Sequence, residues 1–153
     1  MKVEDEDRGF IAEIIATRYF LGKGWKFTNL RESDKIISAR EEVEEQYERY
    51  PYMDKNWYVT NLVSKNFHLC ETWGELKKLV EFLEGFRQNF SFIMRVEGKI
   101  TLCSINPKKG EPSKEAENAI QVAKRYGYPV YSFNIALPDD VDFELVPMFS
   151  PYV

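Results

Sequence analysis

The stretch from Phe90 to Asn106, FSFIMRVEGKITLCSIN, decides most of the fold that this sequence predicts. Apolar and β-branched residues are frequent from Phe90 to Val96 and again from Lys99 to Ile105, and the pair Glu97-Gly98 separates the two runs. A glycine-containing pair between two such runs is typical of a β-hairpin with a tight turn. Pro107 ends the second run, because proline has no amide hydrogen to donate to a strand ladder. The stretch therefore predicts two adjacent antiparallel strands.

Helical patterns flank this hairpin on both sides. Before it, Thr72 and Glu75 have the spacing of a capping box, which marks the start of a helix. After it, Ser113 has the position of a helix N-cap, Gly127 ends that helix, and residues Pro129 to Ile135 form a further strand candidate. Each helix has an apolar stripe at helical spacing. The stripes are Leu76, Leu79, Val80, Leu83 and Phe86 in the first helix, and Ala116, Ala119, Ile120, Ala123 and Tyr126 in the second.

The N-terminal part predicts a helix over residues 8–22, stopped by Gly22 and Gly24, and then a short strand from Trp25 to Asn29. Ile11, Ile14, Ile15 and Arg18 share one face of that helix.

Less regular patterns follow. Glu41 to Tyr50 is mostly charged and predicts a solvated helix that ends before Pro51. The stretch from Tyr52 to Cys70 fits either a strand or a helix, and Asp142 to Met148 predicts one more strand. This element order indicates an α/β fold with a mixed sheet covered by helices.

Composition limits the class of protein. A chain of 153 residues, 44% apolar and 15% aromatic, predicts a single globular domain over residues 1–153. The net charge of −4 does not favour a nucleic-acid-binding surface, but residues 95–128 carry a local surplus of +3, which leaves −7 elsewhere. With no long apolar run and an acidic start, we expect a cytoplasmic protein that does not associate with membranes.

The cysteines and the single histidine predict structural roles. Cys70 and Cys103 lack further ligands at metal spacing, so we interpret them as small buried side chains in a reducing compartment. His68 lies in the apolar run Phe67-His68-Leu69-Cys70, where a structural histidine is the more common case.

Two segments resemble a known family. Glu13-Ile14-Ile15-Ala16-Thr17-Arg18-Tyr19-Phe20-Leu21 followed by Gly24-Trp25, and Ser113-Lys114-Glu115-Ala116 continuing to Gly127-Tyr128-Pro129-Val130-Tyr131, are similar to patterns of the PD-(D/E)XK nuclease superfamily, especially its small archaeal and Holliday-junction-resolvase-like members. The resemblance covers residues 8–29 and 90–148 and implies a restriction-endonuclease-like fold. Residues 30–89 would then be a partly helical insert.

The family's catalytic residues are replaced at the matching positions. Its aspartate commonly precedes the turn glycine by seven residues, and its Glu-x-Lys follows it by six and eight. Counted from Gly98, these positions hold Ser91, Ser104 and Asn106. Serine hydroxyls are neutral, whereas Mg²⁺ in such sites is held by anionic oxygens, and Asn106 removes the cation that would stabilise the reacting phosphate. The resemblance therefore implies a degenerate pocket without metal or cofactor, and a protein that no longer acts as an enzyme.

Our leading hypothesis is a catalytically degenerate nuclease-fold protein that binds DNA, RNA or a DNA-processing protein, with homodimerisation as a further expectation. Lys108, Lys109 and Lys114, close to the cap of the helix at Ser113, are the candidate phosphate contacts.

Two alternatives stay open. In the first, the protein is an active metal-dependent endonuclease with a migrated site, built from Glu13, Glu97 or Glu111 with Lys108 as the cation; only this alternative requires Mg²⁺. In the second, it is a structural or protein-interaction module with no nucleic-acid role.

Overall fold

A computed structural model describes residues 1–63, 69–106 and 113–148. Within them, short 3₁₀ turns follow the first strand and the fourth helix, and a π-helical stretch, Val59–Val63, follows the third helix. The helices are α1 (Asp5–Lys23), α2 (Ser33–Arg49), α3 (Lys55–Tyr58), α4 (Trp73–Phe86) and α5 (Lys114–Arg125), and the strands are β1 (Lys26–Asn29), β2 (Phe92–Val96), β3 (Lys99–Asn106) and β4 (Val130–Asn134).

The four strands form one mixed sheet in the order β1-β2-β3-β4. The first two pairings are antiparallel, and Phe92 faces Cys103 in the hairpin. β4 runs parallel to β3, with Leu102 opposite Val130, and α5 belongs to the crossover connection between these two strands. The predicted α/β class and mixed sheet are confirmed.

Each face of the sheet contributes to a different apolar cluster. On one face, Phe92, Met94 and Cys103 pack with Ala16 and Phe20 of α1. On the other face, Ile93, Ile100 and Leu102 pack in the larger cluster with side chains of α2, α4 and α5. Because side chains alternate along a strand, the hairpin contributes to both clusters.

α1 lies on the sheet through one side of the helix. Its buried residues are Arg8, Ala12, Ala16 and Phe20, which recur every four positions and so lie on one side of the helix. The face that bears the isoleucines points outward: Ile14 is 46% exposed.

Arg8 connects the start of α1 to the segment after β4. Its guanidinium donates to the carbonyls of Leu137 and Pro138, at 3.1 and 3.0 Å, and pairs with Asp139 at 2.8 Å. An isolated antiparallel β-bridge between the backbones of Lys2 and Asp140 joins the same two segments.

The predicted caps and turns are confirmed. The hydroxyls of Thr72 and Ser113 accept hydrogen bonds from the amides three residues later, each at 3.1 Å. The Glu75 carboxylate, which would bond back to the cap residue in a capping box, accepts instead from the amide of Glu71. Glu97 and Gly98 both have positive φ, at 51° and 77°, as a tight hairpin turn of the type I′ class requires.

Residues Asp142–Met148 do not form a strand, so that prediction was wrong. Val141–Met148 has no regular secondary structure and is exposed throughout, with Leu145 at 94%. Apolar residues alternate here as in a strand, but a strand also needs a neighbour to complete its hydrogen bonds, and this segment pairs with no described strand. The alternation of apolar residues within one segment does not show whether a neighbouring strand is available to pair with it.

The described residues between 30 and 89 are more helical and more buried than the sequence indicated. α2 begins at Ser33, eight residues before the predicted start, and buries Ile36, Ala39 and Val43 in the larger cluster, so the prediction of a solvated helix was incomplete. Its predicted end before Pro51 is confirmed. The undecided stretch from Tyr52 contains α3, which Asp54 caps by accepting from the amide of Trp57 at 2.9 Å. His68 lies outside the described residues.

Both cysteines are buried and free, as predicted. Burial raises the pKa of the Cys70 thiol from 9.0 to about 12, and that of Cys103 from 9.0 to about 11. No helix among the described residues has the length and apolar character needed to cross a membrane.

Because of these two buried thiols, we expect the free energy of unfolding to fall at alkaline pH. The unfolded chain loses the thiol protons above pH 9, whereas the folded chain keeps them until about pH 11. The unfolded state therefore binds fewer protons in this window, and each thiol lowers the free energy of unfolding by up to about 1.4 kcal/mol per pH unit. Urea unfolding between pH 8 and 11 checks this, with Cys70→Ala and Cys103→Ala as comparisons. A Cys70→Ala/Cys103→Ala variant that loses stability as steeply as the wild type would contradict the assignment.

Candidate functional site

The three positions that would be catalytic in the resembling family line one cleft of about 620 Å³. Ser91 lies just before β2, and Ser104 and Asn106 lie at the end of β3, so the antiparallel pairing of the strands brings them to the same end of the sheet. The first turn of α5 closes one side, where Ser113 and Ala116 contribute to the lining.

A polar ladder crosses this cleft from β3 to β4. The parallel register sets Ser104 beside Ser132 and Asn106 beside Asn134. The amide nitrogen of Asn106 donates to the Ser132 hydroxyl at 2.6 Å and to the Asn134 side-chain oxygen at 3.2 Å, and the Ser132 hydroxyl donates to that same oxygen at 2.7 Å. The ladder therefore holds Asn106 in one orientation.

The side chains of Ser91 and Ser104 are used for local hydrogen bonds. The Ser91 hydroxyl accepts from the amide of Ile105, and the Ser104 hydroxyl donates to the carbonyl of Asn89, both at 3.3 Å. Each serine thus helps to tie the strand ends and the turn before β2 together.

The chemistry of the cleft is that of neutral donors and acceptors. Its described lining residues include no carboxylate and no cation, but they include hydroxyls and amides on four elements of the fold. These side chains do not fit Mg²⁺, which needs anionic oxygens around it. Hydroxyls and amides can instead pair with base edges or with sugar and phosphate oxygens. Among the described residues, no group of three or more His, Cys, Asp and Glu side chains is placed to hold a metal ion.

Glu13, the carboxylate proposed for a migrated site, lines a neighbouring cleft of about 870 Å³. Its carboxylate pairs with Arg31 at 2.7 Å and accepts a hydrogen bond from the Asn29 side chain, and it is 20% exposed. These contacts fix α1 to the turn after β1. Ser91 also lines this second cleft, so Glu13 lies beside the first cleft, with its charge partly neutralised by Arg31.

Of the other migrated-site candidates, the structure describes only Glu97, and it does not bring Glu97 to Glu13. Glu97 lies in the hairpin turn, at the opposite end of β2 from Ser91. Glu111 and Lys108 lie outside the described residues.

The described basic residues of the 95–128 segment differ in where they lie relative to the cleft. Lys114 is exposed at the start of α5, next to the cleft. Arg95, counted in the basic segment, is only 10% exposed and pairs with Glu75, and Lys99 lies at the turn end of the hairpin. Lys108 and Lys109 lie outside the described residues.

Sequence reasoning missed Ser132 and Asn134. They alternate with Tyr131 and Phe133 along β4, and this alternation indicates a strand with one polar face and one aromatic face. Their place beside Ser104 and Asn106 depends on the parallel register of β3 and β4, which the local pattern does not contain.

Comparisons of this chain with protein-family models, with curated proteins and with solved structures give no match.

Proposed function

We propose that this protein is a catalytically degenerate member of the restriction-endonuclease-like class that binds nucleic acid without cutting it. One observation carries the proposal: Ser91, Ser104 and Asn106 converge on a single cleft whose described lining has no charged side chain and includes several hydroxyls and amides. A shared cleft is what the proposed ancestry predicts, since residues that once held one ion must lie together.

The strand arrangement supports the fold assignment. α1, β1, the β2–β3 hairpin, α5 and β4 follow one another in the order that the resemblance implied. The helices between β1 and β2 take the place of the proposed insert.

The contents of the cleft support binding rather than chemistry. Asn106 and Asn134 are oriented amides of the kind that pair with base edges. Lys114 lies at the α5 N-terminus, where free amide donors and positive charge both favour phosphate. In this proposal Lys108 and Lys109 supply further phosphate contacts.

A binding and cleavage experiment tests the proposal. We expect fluorescence anisotropy with labelled single-stranded, duplex and four-way-junction DNA, and with single-stranded RNA, to show binding that weakens as salt rises. The same nucleic acids should stay intact in Mg²⁺ or Mn²⁺.

Variants separate the two kinds of contact. Lys108→Ala/Lys109→Ala should weaken binding about 10-fold and reduce the salt slope by about one unit for each lost phosphate contact. Asn106→Ala should weaken binding with the salt slope unchanged, because an amide releases no counterion. Lys77→Ala, an exposed lysine on α4, is the matched control and should leave binding unchanged.

Two results would contradict the proposal. Absence of salt-dependent binding to every probe would leave the interaction module as the better hypothesis. Metal-dependent cleavage that is lost in Glu13→Ala would establish the migrated-site endonuclease instead.

A further inference from the structure

The outward face of α1 is apolar along most of its length. Six large apolar side chains of α1 are exposed to between 37% and 64%; one of them, Tyr19, packs against Trp25 and Phe133, and the other five lie on the outward face. They are Phe10, Ile11, Ile14, Ile15 and Leu21. At 100° per residue, these five side chains project from the side of the helix opposite to buried Ala12 and Ala16. They therefore form one continuous stripe, which we call the α1 outer face.

We infer that the α1 outer face binds the same face of a second copy of this chain, with the two helices antiparallel. This inference is independent of the proposed nucleic-acid binding. It rests on the exposure of the stripe and on how charge is placed at its two ends.

The charges at the ends of the stripe are complementary only in the antiparallel arrangement. Asp7 lies at the N-terminal end and Arg18 towards the C-terminal end; both are exposed, and neither forms an ion pair with another described residue. Asp5 and Glu6 add to the acidic end, and Lys23 adds to the basic end. Parallel helices would bring like charges together, whereas antiparallel helices bring opposite charges together.

The spacing of the residues fits a two-fold axis. If the axis passes beside the point midway between Ala12 and Glu13, Asp7 lies level with the partner's Arg18, and the reverse pair forms at the other end. The same axis sets Ile11 level with the partner's Ile14, and Phe10 level with the partner's Ile15. An interface of this kind is self-complementary, so each contact occurs twice.

Sedimentation velocity over a wide concentration range at low salt is the first test, and we expect a monomer–dimer equilibrium. Ile14→Glu should raise the dimer Kd at least about 100-fold, because it places two buried charges in each dimer. Ile14 is half exposed in one copy, so circular dichroism should show that the Ile14→Glu chain remains folded.

A charge exchange tests the antiparallel pairing without touching the apolar residues. Arg18→Asp should raise Kd about 10-fold, since it replaces two attractive pairs with two repulsive ones. Asp7→Arg combined with Arg18→Asp should restore the wild-type Kd. Arg49→Asp, an exposed charge reversal on α2, is the control and should leave Kd unchanged.

The inference is overturned if the chain stays monomeric at every concentration. It is equally overturned by a dimer whose Kd changes with neither Ile14→Glu nor Arg18→Asp, because such a dimer uses another surface. A double exchange that fails to recover the loss of Arg18→Asp would refute the antiparallel pairing.

Discussion

Phe82→Ala should lower the free energy of unfolding by about 4 kcal/mol, the largest effect of a single truncation that we expect in this protein. Phe82 is fully buried on α4, and its ring contacts four other aromatic rings at centroid distances of 5.3 to 6.0 Å. These rings belong to Phe86, Phe90, Tyr126 and Tyr128. Truncation leaves a cavity between α4 and the end of α5 that rigid neighbouring rings cannot fill.

Thermal and urea unfolding measure this effect, and the melting temperature should fall by about 10 °C. Phe143→Ala is the matched control, because Phe143 is 73% exposed and its truncation should change the free energy of unfolding by less than about 0.5 kcal/mol. A loss of under about 1 kcal/mol for Phe82→Ala would show that the aromatic cluster is not packed as described.

Arg95→Ala should lower the free energy of unfolding by about 3 kcal/mol. Arg95 lies on β2 with its side chain 10% exposed, and its guanidinium joins three parts of the fold. It donates to the carbonyls of Leu69 and Gly98, each at 2.7 Å, and to both oxygens of Glu75, at 2.9 and 2.8 Å. Removing it leaves the Leu69 carbonyl and the Glu75 carboxylate without this donor in a partly buried setting, which is where lost hydrogen bonds have their largest effect.

A double-mutant cycle separates the ion pair from the other contacts. We expect a coupling free energy between Arg95 and Glu75 of at least about 1 kcal/mol, measured with Arg95→Ala, Glu75→Ala and the double variant. Arg49 and Glu45, an exposed pair on α2, give the control cycle and should couple by less than about 0.5 kcal/mol. Equal coupling free energies in the two cycles would mean that the burial of Arg95 does not strengthen its ion pair with Glu75.

The parts of the fold that could be predicted from sequence are those fixed by local chemistry. The hairpin turn at Glu97-Gly98, the caps at Thr72 and Ser113 and the buried stripe of α4 each depend on residues a few positions apart. Each of these signals depends only on residues that are close in the sequence and needs no distant partner. The structure confirms all of them.

The parts that could not be predicted depend on distant partners. Ile11, Ile14 and Ile15 of α1 have helical spacing, but the sheet packs against Ala16 and Phe20 on the other side of the helix. Spacing identifies a shared face without saying what covers it.

The candidate site shows the same division. The grouping of Ser91 and Ser104 follows from the hairpin register and was predictable, whereas Ser132 and Asn134 join them only through the parallel pairing of β4. The extended pattern of Asp142–Met148 had no such pairing to complete it.

The pairing of β1 with β2 has a consequence for how the chain reaches its native state. Phe92 pairs with Asn29, so this contact closes the whole loop formed by residues 30–91, whereas the β2–β3 turn closes a loop of two residues. Loop-closure entropy rises with loop length, and local contacts form fastest. The hairpin should therefore form early in folding, and β1, followed by the docking of α1, should join it only after the intervening helices have brought the two ends of that loop together.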